Sequence, residues 1–317
     1  MVGHTGLRVS ALGLGTMTWG RDTDPLDAAT MLTEFLDAGG TLVDTAAGYS
    51  DGAAESLIGE FLSGTIARSD VVLVTKAGVR TWRSERAVVD ASRGTLLGSL
   101  DASLRRLGTD HVDVFVVQAP DPSTPTEETA SALRAAVDSG RARYVGVSNY
   151  AGWQCARMAG LLGPDPGLAV VEAEYSLLER GAEREVLPAG EALGFGVFAW
   201  SPLGRGVLTG KYRHATPADS RAASPHLRTF VAPYLNDRCF GVVESLVRAA
   251  EGLECQPIEV ALAWLRGTGV ASAIVGARTP GQLRSILTSG IDLPDVIRDA
   301  LSDVSAPALG YPERPRS

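Results

Sequence analysis

Eight short runs rich in apolar and β-branched residues punctuate this chain, and longer stretches patterned as helices separate them. The runs are LGLGT (12–16), TLVDT (41–45), VVLVTK (71–76), VDVFVV (112–117), ARYVGVS (142–148), LAVVEA (168–173), FGVFAW (195–200) and VASAIVG (270–276). Continuously apolar strands alternating with helices imply a parallel sheet whose outer face is covered. In TPTEETASALRAAVDSG (124–140) acidic residues crowd the first turn, apolar residues recur at three and four, and a glycine follows at the end. In a chain of 317 residues, eight such strands predict closure into a (β/α)8 TIM barrel, as one domain over 1–317. The alternative is an open doubly wound sheet. That fold usually announces a dinucleotide site by GxGxxG after its first strand, whereas GLGTMTWG (13–20) has no third glycine at the required place.

One stretch breaks the rhythm. Residues 203–240 carry no strand run and follow the seventh strand, on the side where a barrel keeps its working loops. A lid or substrate loop is expected there; a surface excursion is the plainer alternative. A loose tail is expected at about 307–317.

Composition narrows the function classes. A formal charge of -8 with no basic stripe argues against nucleic acid or an anionic membrane as partner. No apolar run approaches the ~20 residues of a membrane span, and MVGHTGLRVS lacks the apolar core of a secretory signal. Cys155, Cys239 and Cys255 are scattered, and the four histidines show no ligand spacing, so neither a disulfide framework nor a metal site is expected. The plain expectation is a cytoplasmic, metal-free protein.

Ionisable residues fall where a barrel keeps its chemistry. Asp44 ends the second strand, Tyr49 follows in its loop, and Lys76 closes the third. Paired, Asp44 and Lys76 would offset each other's burial, and the lysine would favour the phenolate form of a neighbouring tyrosine. Such a tyrosine serves as a proton donor; a structural ion pair beside an unrelated tyrosine is the alternative. Ser148 and Asn149 end the fifth strand, as short hydrogen-bonding groups for the same mouth or as a cap for the next helix. Arg278 stands between the last strand and a helix start, where barrels commonly bind phosphate, or it is simply solvent-exposed. Trp19, Trp82 and Tyr150 follow strands one, three and five, as candidate walls for a flat or apolar ligand or as rim cover.

Eight segments in register resemble the aldo-keto reductases, in the branch of bacterial reductases and potassium-channel β subunits. They are GLRVSALGLGTMTWG, LVDTAAGYSDGAAESLIGEFL, VVLVTKAG, SLRRLGTDHVDVFVVQAPD, GRARYVGVSNY, EYSLLER, FAWSPLGRGVLTGKY and AIVGARTPGQL. The resemblance implies a (β/α)8 barrel preceded by a small hairpin, which the short start here leaves incomplete. It also implies NADPH bound across the C-terminal face and hydride transfer to the carbonyl of a small metabolite. By the same resemblance Tyr49, Lys76 and Asp44 are catalytic. Ser148 and Asn149 would hold the nicotinamide carboxamide, and Trp200, Ser201, Leu203 and Gly204 would wrap the cofactor. Arg278 would meet the 2′-phosphate, with Gln282 on the adenosine side.

The chain departs from that pattern at three places. Gln118 stands where the family has a histidine, and an amide carries no proton charge in the working range. His111, before the strand, is too far away to replace it. Glu172 stands where the family usually has glutamine; it also belongs to the cofactor site by the resemblance. At the adenine end Ser285 and Ile286 replace the family's polar pair. Three functions follow: carbonyl reduction with Tyr49 as acid and Gln118 as orienting donor, reduction of an activated carbon–carbon double bond, or a weakly active NADPH-binding regulatory protein. The natural substrate and the oligomeric state cannot be read from the sequence.

Overall fold

Each apolar run becomes a strand because its alternate side chains are buried on both faces, inward against the barrel core and outward under helices. The computed structural model describes residues 1–81, 87–218, 220–225, 227–288, 290–308 and 310. Eight parallel strands close the barrel: β1 (Leu12–Gly15), β2 (Leu42–Asp44), β3 (Val72–Ala77), β6 (Val112–Val117), β7 (Ala142–Ser148), β8 (Val170–Glu174), β9 (Gly196–Trp200) and β10 (Ser272–Val275). Their order around the barrel is β1-β10-β9-β8-β7-β6-β3-β2. The two remaining strands, β4 (Val79–Thr81) and β5 (Ala87–Val89), pair antiparallel just after β3. Trp82 lies outside the described residues.

The described chain gathers into two compact units. The first comprises Met1–Ala173, Glu185–Trp200 and Gly269–Thr288. Its core includes Leu42, Val74, Val114, Val116, Val170, Phe198 and Ile274, one or two from each of several strands. Burying such a side chain stabilises the fold by about 1.5–3 kcal/mol, so register is strongly specified. Val2 and Leu7 join this core. They are brought there by a tight turn in which the Val2 amide donates to the Leu7 carbonyl at 2.9 Å, and no strand precedes β1 among the described residues. The expected hairpin is thus reduced to a turn.

Helices α1 (Pro25–Asp37), α2 (Ala53–Gly64), α3 (Arg93–Leu107), α4 (Thr126–Asp138), α5 (Gly152–Leu162), α6 (Val186–Leu193) and α10 (Pro280–Leu287) belong to the same unit. Local sequence sets their ends. Asp24 caps α1, accepting from the Leu26 amide at 2.8 Å with Pro25 in the first turn, and Ala28, Met31, Leu32 and Phe35 form its buried stripe. In α4, Glu127 and Glu128 occupy the positive N-terminal turn, as their spacing predicts.

The second unit comprises Glu174–Arg184, Ser201–Thr268 and the chain from Ser289. It carries α7 (Arg228–Val231), α8 (Asp237–Gly252), α9 (Pro257–Arg266) and α11 (Asp295–Val304), and among its described residues 203–240 hold no strand. Arg205 organises part of this stretch. Its guanidinium takes both oxygens of Glu174, at 2.7 and 2.5 Å, donates to the Phe230 carbonyl, and lies 4.0 Å from the centroid of the Phe230 ring. Trp264 packs on Tyr175 with centroids 5.7 Å apart and donates to Ser302 Oγ at 2.9 Å. Most of the tail, residues 309 and 311–317, lies outside the described residues.

Candidate active site

Asp44 is the last residue of β2 and sits beside Val74, so the pleat brings it to the end of β3 that carries Lys76. The loop beyond β2 is then laced to β3 by main chain: Thr45 N–H donates to Val74 O and Ala47 N–H to Lys76 O, each at 2.9 Å. The Tyr49 amide closes the turn on Ala46 O at 3.0 Å. Tyrosine and lysine are therefore fixed through one backbone. Ser50, Asp51 and Gly52 follow with φ of 49°, 54° and 91°. Left-handed backbone costs an L-residue roughly 1–2 kcal/mol, so two of these three positions are strained, held in part by Ser50 Oγ donating to Trp19 O at 2.8 Å.

Three buried side chains, Asp44, Lys76 and Glu172, meet at this end of the barrel beside the half-buried Tyr49. Lys76 Nζ forms an ion pair with Asp44 Oδ2 and a second one, at 3.2 Å, with Glu172 Oε2. The three side chains are 2–4% exposed. Lys76 Nζ is 5.5 Å from the centroid of the Tyr49 ring, close enough for its charge to act on the phenol. Burial alone would discharge the lysine, but Asp44, then Glu172 and Tyr49, outweigh it and hold the ammonium firmly charged. Burial pushes the Tyr49 phenol up; Lys76 opposes that, while Asp44 and Glu172 add to it. The sequence led us to expect the lysine to ease the phenol toward phenolate. It does pull that way, but desolvation wins, and the phenol stays a firmly held O–H. Burial, and after it the charge of Asp44, raises Glu172 well above the ordinary carboxylate range against the pull of Lys76.

A second group of hydrogen bonds occupies the neighbouring strand ends. Ser148, buried, ends β7 beside Glu172 in register, and the Asn149 amide donates to Glu172 O at 3.0 Å. Asn149 is left-handed, φ 63°, with Nδ2 donating to Gln118 O at 2.9 Å and Oδ1 accepting from Trp200 Nε1 at 3.2 Å. Neither Ser148 nor Asn149 caps the next helix; the N-cap of α5 is Ala151. Gln118 follows β6, its backbone N–H donating to Ala77 O at 2.9 Å, and its buried Oε1 has no hydrogen-bond partner among the described residues. Trp19 is fully buried, edge-on to Phe61 at 6.1 Å, and covers the rim rather than lining an open mouth; Tyr150 is also buried.

Farther along, Arg278 immediately precedes Thr279, the N-cap of α10, and its backbone N–H donates to Gln282 Oε1 at 3.0 Å. The Gln282 side chain is thereby folded back on its own helix start. The Arg278 guanidinium makes no ion pair among the described residues and stands beside a helix N-terminus, a setting suited to an anion. Ser201, Leu203 and Gly204 belong to the second unit. There the Gly204 N–H donates to Ser201 O at 2.8 Å, and a Cβ at Gly204, φ 55°, would lie 2.7 Å from Leu178 Cδ1. Among the described residues no cluster of three histidine, cysteine or acidic side chains could hold a metal, and no helix is long and apolar enough to cross a membrane.

Sequence reasoning missed one network behind the site. Glu55 in α2 is wholly buried; it accepts from Thr75 Oγ1 at 2.5 Å and from Arg106 Nε at 2.7 Å. Thr75 precedes Lys76, and a Cβ on Gly52 would lie 2.7 Å from Arg106 Nε. The network thus braces both the lysine strand and the tyrosine turn. The signal was present: Glu55 falls on the face of α2 that buries Ala54 and Ile58.

The fold is a parallel eight-stranded barrel that gathers Asp44, Lys76 and Tyr49 at the C-terminal ends of its strands. Residues 11–296 match the sequence profile of the Aldo/keto reductase family. The chain belongs to that family, and its general class is that of an oxidoreductase. It is 37% identical to an uncharacterized oxidoreductase, YrpG, of Bacillus subtilis over 96% of this chain and 94% of that one. It is 33% identical to a probable voltage-gated potassium channel subunit beta of rice, over 100% of this chain and 98% of that one. Against L-glyceraldehyde 3-phosphate reductase of Escherichia coli K12 the identity is 34%, over 89% of this chain and 84% of the other.

Proposed function

We propose that the protein is an NADPH-dependent reductase of a carbonyl on a small metabolite, with Tyr49 as proton donor and residues 1–317 acting as one functional domain. The observation that carries this reading is the Tyr49 phenol held against Lys76, itself ion-paired to Asp44, at the C-terminal ends of the strands. When bound, NADPH supplies the hydride that reaches the carbonyl carbon. Tyr49 gives its proton to the carbonyl oxygen as negative charge develops there, and the Lys76 ammonium stabilises the phenolate left behind. The Gln118 amide orients the same oxygen by donating from Nε2. Ser148 and Asn149 serve the nicotinamide carboxamide, Trp200, Ser201, Leu203 and Gly204 are assigned to the cofactor as a segment, and Arg278 meets the 2′-phosphate with Gln282 on the adenosine side. The working location is the cytoplasm.

The test is NADPH consumption with product identification over aldehydes, ketones, α,β-unsaturated ketones and L-glyceraldehyde 3-phosphate, the compound in one relative's name. Native protein is expected to yield alcohols, with Gln118→His preserving or raising turnover on simple carbonyls. Saturated ketones formed from enones, and lost in Gln118→His, would replace carbonyl reduction by double-bond reduction. Tight NADPH binding without turnover would favour the regulatory reading that the channel-subunit relatives suggest.

A further inference from the structure

Counting charge in the buried cluster gives an imbalance. Asp44 and Glu172 are two carboxylates, Lys76 is one ammonium, and Tyr49 is a neutral phenol. With both carboxylates ionised the cluster would hold one uncompensated negative charge at 2–4% exposure. Desolvating an unpaired carboxylate costs several kcal/mol, and a group so placed takes up a proton instead. Asp44 makes the closer contact with Lys76, while Glu172 Oε1 and Oε2 stand 3.4 and 3.2 Å from Nζ and within hydrogen-bond reach of Asp44.

The geometry points to Glu172 as a carboxylic acid at neutral pH, hydrogen-bonded to the Asp44 carboxylate and serving as the proton reservoir that recharges Tyr49 through Lys76. The transfers balance. After Tyr49 has given up its proton, Lys76 passes one to the phenolate and Glu172 passes one to Lys76, so that the net movement is one proton from Glu172 to Tyr49. Glu172 then recovers a proton from solvent when the site opens. The charged or titratable groups around Glu172 among the described residues are Asp44 from β2, Lys76 from β3 and Tyr49 from the turn between them; Ser148, its partner in register on β7, and Asn149, whose amide donates to its carbonyl, do not titrate. Burial of Glu172 and the charge of Asp44 both act in the direction required. Glutamine at this position would hold the lysine without storing a proton, which distinguishes this chain from the family pattern. Because Glu172 acts through Lys76, it is a positioning residue.

The first arm of the test needs neither cofactor nor substrate. Infrared difference spectra of the unliganded protein, between mildly acidic and mildly alkaline pH, are expected to show a protonated-carboxyl carbonyl band at neutral pH that vanishes on the alkaline side. Side-chain 13C labelling of glutamate should shift that band, and its loss in Glu172→Gln, with the fold checked by circular dichroism, assigns it to Glu172 rather than to the buried Glu55. Absence of the band at neutral pH, or a band insensitive to the label, overturns the proposal. The second arm rests on the carbonyl-reduction reading: native turnover should fall about tenfold per pH unit once Glu172 ionises, and Glu172→Gln should lose that alkaline limb while running slower at neutral pH. The same limb in both proteins also overturns it. A labelled band together with no reductase activity would sink the reductase reading and leave the proton on Glu172.

Discussion

Removing Arg106 should cost the fold far more than its position near the surface suggests. Its guanidinium is 28% exposed but pairs with a carboxylate that is wholly buried, Glu55, at 2.6 Å through Nη2 and 2.7 Å through Nε. In Arg106→Ala that carboxylate keeps a single donor, the Thr75 hydroxyl. Breaking a buried pair costs about 3–5 kcal/mol, and water entering the vacated, partly exposed space places this one near about 3 kcal/mol. Glu55→Gln retains an acceptor for Thr75 but turns an amide toward the guanidinium, at a cost of about 2 kcal/mol. The double variant has no unpaired charge and should lose only about 2–3 kcal/mol, leaving a coupling of about 2–3 kcal/mol in the cycle. Urea unfolding of the four proteins, extrapolated linearly to water, measures each term. A loss below about 1 kcal/mol in Arg106→Ala, or simple additivity in the double variant, would refute the claim that the pair is one unit.

Tyr49→Phe should lower kcat by about 10²–10⁴-fold while leaving the NADPH dissociation constant nearly unchanged, because the phenol acts on the reacting oxygen; fluorescence titration beside steady-state kinetics checks both. Arg278→Ala should weaken NADPH about 10–100-fold, the loss of one charge-assisted contact, and leave NADH unaffected, so equal affinities for the two in the native protein would remove its role. Stability should depend on pH through Glu172. Its folded pKa lies above its unfolded one, so its contribution is whole below the unfolded value and is lost as pH rises through the folded value. Between the two, native unfolding free energy should drop by about 1.4 kcal/mol per pH unit from this group, and Glu172→Gln should lack that slope in denaturant melts taken across pH.

The barrel was legible because its strands are buried on both faces, which writes them as unbroken apolar runs; VDVFVV is the strand Val112–Val117 with no residue to spare. The start of the chain was less legible. A hairpin and a turn use the same first residues, and what decides between them is whether Val2 and Leu7 can reach the core. Asp44, Tyr49 and Lys76 could be read as a site because charged residues at the ends of apolar strands need partners. The roles beyond them could not. Glu172 lies 96 residues from Lys76 in the chain, and only closure of the barrel brings their side chains together. The resemblance assigned it to the cofactor, and its contact with the lysine was not part of that reading. The turn behind Tyr49 is a further case. SDG marks a turn, yet it does not specify three successive left-handed residues, two of them paying steric strain. That strain is sustained because the loop is bonded to Lys76 O on one side and braced by Glu55 and Arg106 on the other. The types of the reacting groups are therefore written locally, while the distance between phenol and ammonium is set by backbone bonds and a buried ion pair that no local pattern contains.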